Sequence, residues 1–218
     1  MSDNEKNTEN PSEQEFYVDN LPNRLTIFRV ALIPLVVVPL LFQGMEYPWL
    51  KDWYTDLGWI AAWVFALASI TDFFDGYIAR KKGITTIFGS FLDPIADKFL
   101  VVSSLIMLQD LGRIPSIIVI ILILREMYMT SLRLLAINEG LKVPVNQLGK
   151  WKTTTQMIGI PLLMVNHTWH NIPFGILGTI AIYIASFLSL YSAFNYSWGL
   201  VKGLKEKKKE KLIEKEIS

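Results

Sequence analysis

The segment DFFDGYIARKKGITTIFGSFLDPIAD, from Asp72 to Asp97, holds four aspartates between long apolar stretches. Asp72 and Asp75 are three residues apart, about 60° around a helix, and Gly76 and Ala79 share their face. Gly89, Asp93 and Asp97 step by four, so on a second helix they form one row. Two helices joined by a short basic turn can therefore turn four carboxylates toward one another. Like charges so close repel strongly where the dielectric is low, and divalent cations are the simplest remedy. All-oxygen ligands suit Mg²⁺ or Mn²⁺, and two such ions roughly 3.5–4 Å apart form the clamp used in phosphoryl transfer. Gly76 and Gly89 leave room for a ligand's close approach or for tight helix packing.

The elements that must position these groups are apolar. Of the 218 residues, 51% are hydrophobic, and no Asp, Glu, Lys or Arg occurs from Thr153 to Val201. That run is too long for one membrane helix and suits two, with Asn166 to Pro173 as the turn. The expected fold is an all-α integral membrane protein with six transmembrane helices, at roughly 24–44, 57–80, 88–110, 115–138, 148–166 and 173–200. Residues 1–20 are polar and acidic and read as a flexible leader; they are not a signal peptide, because no apolar core follows a basic start. Residues 21–200 form the membrane catalytic domain. Residues 201–218 form a lysine-rich cytoplasmic tail, a solvated helix or coil near anionic headgroups. A net charge of +1 gives no general basic field, so nucleic acid is not an expected partner. The absence of cysteine excludes disulfides, thiolate metal sites and cysteine nucleophiles.

Lys and Arg set the orientation. One side receives Arg24, Arg80, Lys81, Lys82, Lys142, Lys150, Lys152 and the lysine tail, and the other receives Lys51 and Arg113. The first side is read as cytoplasmic, with both termini on it. Aromatic residues mark the outer interface at Tyr47, Trp49, Trp53, Tyr54, Trp59 and Trp169, and Tyr196 and Trp198 mark the inner one.

The middle spans are charge-free only over Leu57–Thr71, Phe99–Gln109 and Ile114–Leu124. Each is shorter than the ~20 apolar residues needed to cross hydrocarbon. Each must continue through a polar half, and in all three that half is cytoplasmic. A bare charge at mid-membrane costs at least ~2.5–3.5 kcal/mol. Asp72, Asp75, Arg80, Asp93, Asp97, Lys98, Arg125, Glu126 and Arg133 therefore imply a shared polar active-site cavity, walled by protein and open to the cytoplasm.

Asp72-x-x-Asp75-Gly76-x-x-Ala79-Arg80, eight residues, then Gly89-x-x-x-Asp93-x-x-x-Asp97 resembles in full the signature of the CDP-alcohol phosphotransferases. Leu21 to Arg29 with Pro34, Leu124 to Ala136, and Leu148 to Gln156 are similar to its bacterial phosphatidylglycerophosphate synthase branch. The likeness runs from about Leu21 to Leu200 and departs at Leu134, where some relatives carry an acid. It implies a bacterial cytoplasmic-membrane enzyme that transfers the phosphatidyl group of CDP-diacylglycerol to sn-glycerol 3-phosphate and releases CMP. By resemblance, Asp72, Asp75, Asp93 and Asp97 hold two divalent cations, Mg²⁺ or Mn²⁺, and Asp97 is also the candidate general base. Asn23, Gly76, Ala79, Arg80 and Gly89 would line the CDP-diacylglycerol site, and the resemblance suggests a homodimer.

A dianionic acceptor needs fixed cations near the metals. Arg125 and Arg133, eight residues apart on one broad helix face, with Lys150 and Lys152, are the candidates for its phosphate. Plainer readings stand beside these. The aspartates could form a structural ion-pair network with Arg80 and Lys98, the glycines could serve packing alone, and Asn23 could merely cap its helix. Arg125 and Glu126 could pair with neighbours, and Arg133 could snorkel to the interface. Other acceptors within the family are inositol phosphate, serine, or phosphatidylglycerol to make cardiolipin. A divalent-cation or proton-coupled transporter is the non-enzyme alternative, which CMP release would exclude.

Overall fold

A computed structural model describes the backbone of residues 21–45, 47–82, 87–141 and 147–217. The side chains of 21–29, 51, 72–97, 169, 210–211 and 214–217 lie outside the described residues, as does the whole 1–20 leader. The helices are α1 (Leu21–Gly44), α2 (Tyr54–Lys82), α3 (Ile87–Asp110), α4 (Ser116–Asn138), α5 (Gln147–Val165) and α6 (Phe174–Ile217), with a 3₁₀ turn at Pro48–Trp53. Their ends fall within three residues of the expected spans except at the C-terminus. There α6 runs unbroken through the lysine tail, so the tail is helix rather than coil.

The expected turn between α5 and α6 is a minimal antiparallel hairpin. Its strands β1 (Thr168–Trp169) and β2 (Ile172–Pro173) pair Thr168 with Pro173 and Trp169 with Ile172. The two loop residues, His170 and Asn171, both have positive φ, 47° and 64°, the geometry whose twist matches a two-residue hairpin.

The core is a bundle in which α5 packs on α6 and α2, α1 on α2 and α3, and α4 on α6 and α3. Val36, Leu40, Phe65, Leu100, Leu105, Leu108, Leu122, Ile160, Leu163, Met164 and Ile182 are fully buried at its centre. Helices α5 and α6 pack closely along their length. A Cβ on Gly178 would lie 2.7 Å from Leu163 Cγ and 3.0 Å from the Gly159 carbonyl, so only glycine lets the backbones meet there. Small residues at such a crossing are how helices pack where lipid removes the hydrophobic drive between them.

The opposite surface is apolar. Trp63, Leu67, Ile70, Ile117, Ile120, Leu124, Ile176, Ile180, Ile184 and Phe187 are all exposed. Tyr54–Thr71 and Phe174–Lys209 are long and apolar enough to cross a membrane, and only 28% of each window is buried. An apolar helix that a soluble protein used as its core would be mostly covered.

Arg113, in the α3–α4 loop, ties the far end of the bundle together. Its Nη1 donates to the Leu163 and Met164 carbonyls at 2.8 and 2.7 Å, in the last turn of α5. Its Nη2 donates to Gln43 Oε1 at 2.9 Å, and Gln43 Nε2 donates in turn to the Tyr54 carbonyl. A cation on terminal helix carbonyls satisfies acceptors that have no partner within the helix. Burial lowers the Arg113 pKa to about 10, which still leaves it charged at neutral pH.

Candidate active site

Asp72 and Asp75 lie in α2, and Asp93 and Asp97 lie in α3, on the two helices that the 83–86 segment separates. The backbone thus places the two aspartate rows on consecutive helices, as the spacing predicts. The side chains of all four lie outside the described residues, as do those of Asn23, Gly76, Ala79, Arg80 and Gly89. Among the described residues no cluster of three or more His, Cys, Asp or Glu could hold a metal. The donor set itself, four carboxylates and no softer ligand, fits hard divalent cations.

The described turns that adjoin the two rows border one cleft. On α3, Val101 and Leu105 continue the 89–93–97 row in steps of four, and both line a narrow cleft of about 50 Å³ between α3, α4 and α5. Lys98, next to Asp97, lines it too, with Glu126, Lys152, Gln156 and Met157. On α2, Ser69 is one turn before Asp72, and its hydroxyl lies 3.5 Å from Met157 Sδ at the cleft wall.

The polar end of this cleft is an ion network. Glu126 Oε2 accepts from Lys152 Nζ at 2.7 Å and from Arg125 Nη1 at 3.3 Å. Arg125 Nε donates to the Ser189 carbonyl of α6 at 3.0 Å. Lys98 Nζ donates to Thr130 Oγ1, and Thr130 Oγ1 donates to the Glu126 carbonyl at 2.9 Å. One carboxylate therefore bridges α4 to α5, and one guanidinium bridges α4 to α6. The Arg125 and Lys152 side chains are 6% and 7% exposed, and that of Glu126 is 32% exposed. The Ser189 and Ser186 hydroxyls are also buried here, without a hydrogen-bond partner among the described residues.

The four cations proposed for the acceptor phosphate thus occupy two environments. Arg125 and Lys152 are buried together at Glu126, whereas Arg133 and Lys150 are exposed. Two residues apart on a helix are about 200° apart, so Lys150 and Lys152 cannot both face one site. Arg125 and Met129 lie under α6, where Met129 packs with Ala193 and Tyr196. Arg133, one turn further along α4, emerges. The sequence places Glu126 in the polar cavity but assigns it no binding role. The signal was present as an acid in an otherwise apolar span, but its partner lies 26 residues away.

A described residue of the lysine tail is anchored to the bundle. Lys207 Nζ donates to Glu139 Oε2 at 3.1 Å and to the Glu139 carbonyl, which fastens α6 to the end of α4.

Comparison with known proteins places these features in context. The family model for CDP-alcohol phosphatidyltransferase matches residues 19–191. A protein of Bacillus subtilis (strain 168), named CDP-diacylglycerol–glycerol-3-phosphate 3-phosphatidyltransferase, is 37% identical over 195 residues, 84% of this chain and 97% of that protein. A Rickettsia bellii protein of the same name is 38% identical across 82% of this chain and 93% of its own length. One from Haemophilus influenzae is 37% identical across 81% and 91%.

Proposed function

The chain belongs to the CDP-alcohol phosphatidyltransferase family, and we propose that it transfers the phosphatidyl group of CDP-diacylglycerol to sn-glycerol 3-phosphate, releasing CMP and forming phosphatidylglycerophosphate. The observation that supports this acceptor is the α3–α4–α5 cleft, lined by Lys98, Glu126 and Lys152, with Arg125 paired to the same Glu126 carboxylate. A phosphomonoester dianion suits such a site, whereas serine, with no net charge, and a neutral alcohol bring no net negative charge to it.

Asp72, Asp75, Asp93 and Asp97 are the residues that would hold the two divalent cations, Mg²⁺ or Mn²⁺. When bound, these supply charge neutralisation at the diphosphate and at the departing CMP. The chain's own residues do the rest. The cations of the cleft hold the acceptor phosphate. The acceptor hydroxyl then attacks the phosphorus that carries the diacylglycerol, and the bond from that phosphorus to the CMP oxygen breaks. Asp97 takes the hydroxyl proton. Arg80, Gly76, Ala79, Gly89 and Asn23 lie against the nucleotide.

In this reading all six helices cross the membrane, the aspartate ends of α2 and α3 face the cytoplasm, and the exposed apolar faces meet lipid or a second copy of the chain. Release of labelled CMP from CDP-diacylglycerol in detergent micelles tests the reaction. It should require glycerol 3-phosphate, and equal release with serine, inositol phosphate or phosphatidylglycerol would overturn the acceptor assignment. Topology has its own test, made clean by the cysteine-free chain. Lys82→Cys and Lys205→Cys should label only from the cytoplasm, and Lys51→Cys and Trp169→Cys only from outside. The reverse pattern would remove the active site from its nucleotide substrate.

A further inference from the structure

Among the described residues, Lys98, Arg125 and Lys152 stand around the single carboxylate of Glu126 at the polar end of the α3–α4–α5 cleft. Glu126 is more exposed than either buried cation it pairs with, and it lines the cleft together with Lys98 and Lys152. An anion entering to reach Lys152 meets a carboxylate oxygen already 2.7 Å from the Lys152 nitrogen. Arg125 has a second anchor in the Ser189 carbonyl, so it can loosen its 3.3 Å contact with Glu126 and stay in place.

We infer that Glu126 is a positioning residue that acts as an internal counter-ion. It stands where the acceptor phosphate will sit, keeps Arg125 and Lys152 charged and oriented while the site is empty, and yields Lys152 to the phosphate when acceptor binds. This rests on the acceptor reading above and goes beyond it by assigning Glu126 a competing role. The competition keeps the grip on the phosphate moderate. That matters because the lipid product carries the same phosphate and must leave. A grip that tightened on substrate and transition state alike would lower KM without raising kcat, and the same grip on the product's phosphate would slow its release.

The sign of one substitution separates this role from a merely structural brace. Glu126→Gln keeps the shape and removes the charge. With the counter-ion gone, KM for glycerol 3-phosphate should fall by roughly three- to tenfold, as expected for removing one partly exposed competing charge. The turnover number should fall with it, and KM for CDP-diacylglycerol should stay unchanged. Inorganic phosphate, as a competitive inhibitor, should become tighter by the same factor. Glu126→Asp draws the carboxylate back by one methylene and should shift both constants in the same direction by less. A brace predicts the opposite, a rise in KM for glycerol 3-phosphate as the cations lose their alignment, and either a rise or no change overturns the inference. If Glu126→Gln does not fold, Glu126→Asp carries the test. The phosphate concentration that half-saturates thermal stabilisation of the full-length protein in detergent gives a readout independent of turnover. It should fall in the variant, and an equal or higher value counts against the inference. Wild-type protein that releases CMP without glycerol 3-phosphate would instead defeat the acceptor reading, so the two failures are distinct.

Discussion

Asp72→Asn, Asp75→Asn and Asp93→Asn should each abolish CMP release, by a thousandfold or more on the rough scale of losing preorganised charge stabilisation at a phosphoryl centre. Asparagine keeps the volume and one oxygen of the carboxylate but not its charge, so what is lost is affinity for a hard divalent cation. Chelator should do the same to the wild-type protein, and added Mg²⁺ or Mn²⁺ should restore activity. The decisive companion measurement is thermal stability without metal. Four carboxylates brought together repel, and removing one relieves that repulsion, so the metal-free midpoint of each variant should hold or rise. A structural ion-pair network with Arg80 and Lys98 would give the reverse, because deleting one partner leaves an uncompensated charge. Near-normal turnover in any one of the three removes that residue from the catalytic set.

The aspartates illustrate how far spacing alone can reach. Steps of three and four define a helix face without knowledge of any neighbour, and α2 and α3 carry the two rows on consecutive helices. The helix ends were legible for a similar reason, since charges and turn residues interrupt apolar runs locally. What spacing does not carry is which neighbour covers a face. Arg125 and Arg133 step along one side of α4, yet α6 buries the first and leaves the second exposed. Arg113 read only as a charge on the outer side, because its partners at Gln43, Leu163 and Met164 are 50 or more residues away. The tail is another such case. Lysine and glutamate suit a solvated helix and a coil alike, and the contact with Glu139 that fastens it to α4 spans 68 residues. Lys150 and Lys152 differ from the rest, since the 200° between them was available from helix geometry before any packing was known.

Arg125→Ala should raise KM for glycerol 3-phosphate by roughly ten- to hundredfold, the cost of one charge-assisted contact of about 1.5–3 kcal/mol, with much less effect on KM for CDP-diacylglycerol. Burial makes Arg125 the stronger of the two arginines. Its side chain is 6% exposed, so its charge is poorly screened and its geometry is fixed by the Ser189 carbonyl. Arg133 is exposed, and Arg133→Ala should raise the same constant only a few-fold, within the range of about 0.2–1 kcal/mol for screened charges. Arg125→Lys keeps the charge but cannot serve Ser189 and a phosphate oxygen together, because an ammonium lacks the planar fork of the guanidinium. It should therefore rescue only part of the loss. Arg125→Ala also strips a partner from Glu126, so some loss of thermal stability is expected, and stability alone cannot identify the role. The split between the two Michaelis constants can. A purely structural Arg125 would disturb both substrates alike, because α4 touches both α3 and α6. A phosphate ligand disturbs the acceptor selectively. The sign relation with Glu126 adds a constraint that a general packing defect cannot mimic. Removing a cation must weaken the acceptor, and removing the neighbouring anion must strengthen it. Normal acceptor binding in Arg125→Ala, or free glycerol serving as well as its phosphate, would place the phosphate pocket elsewhere.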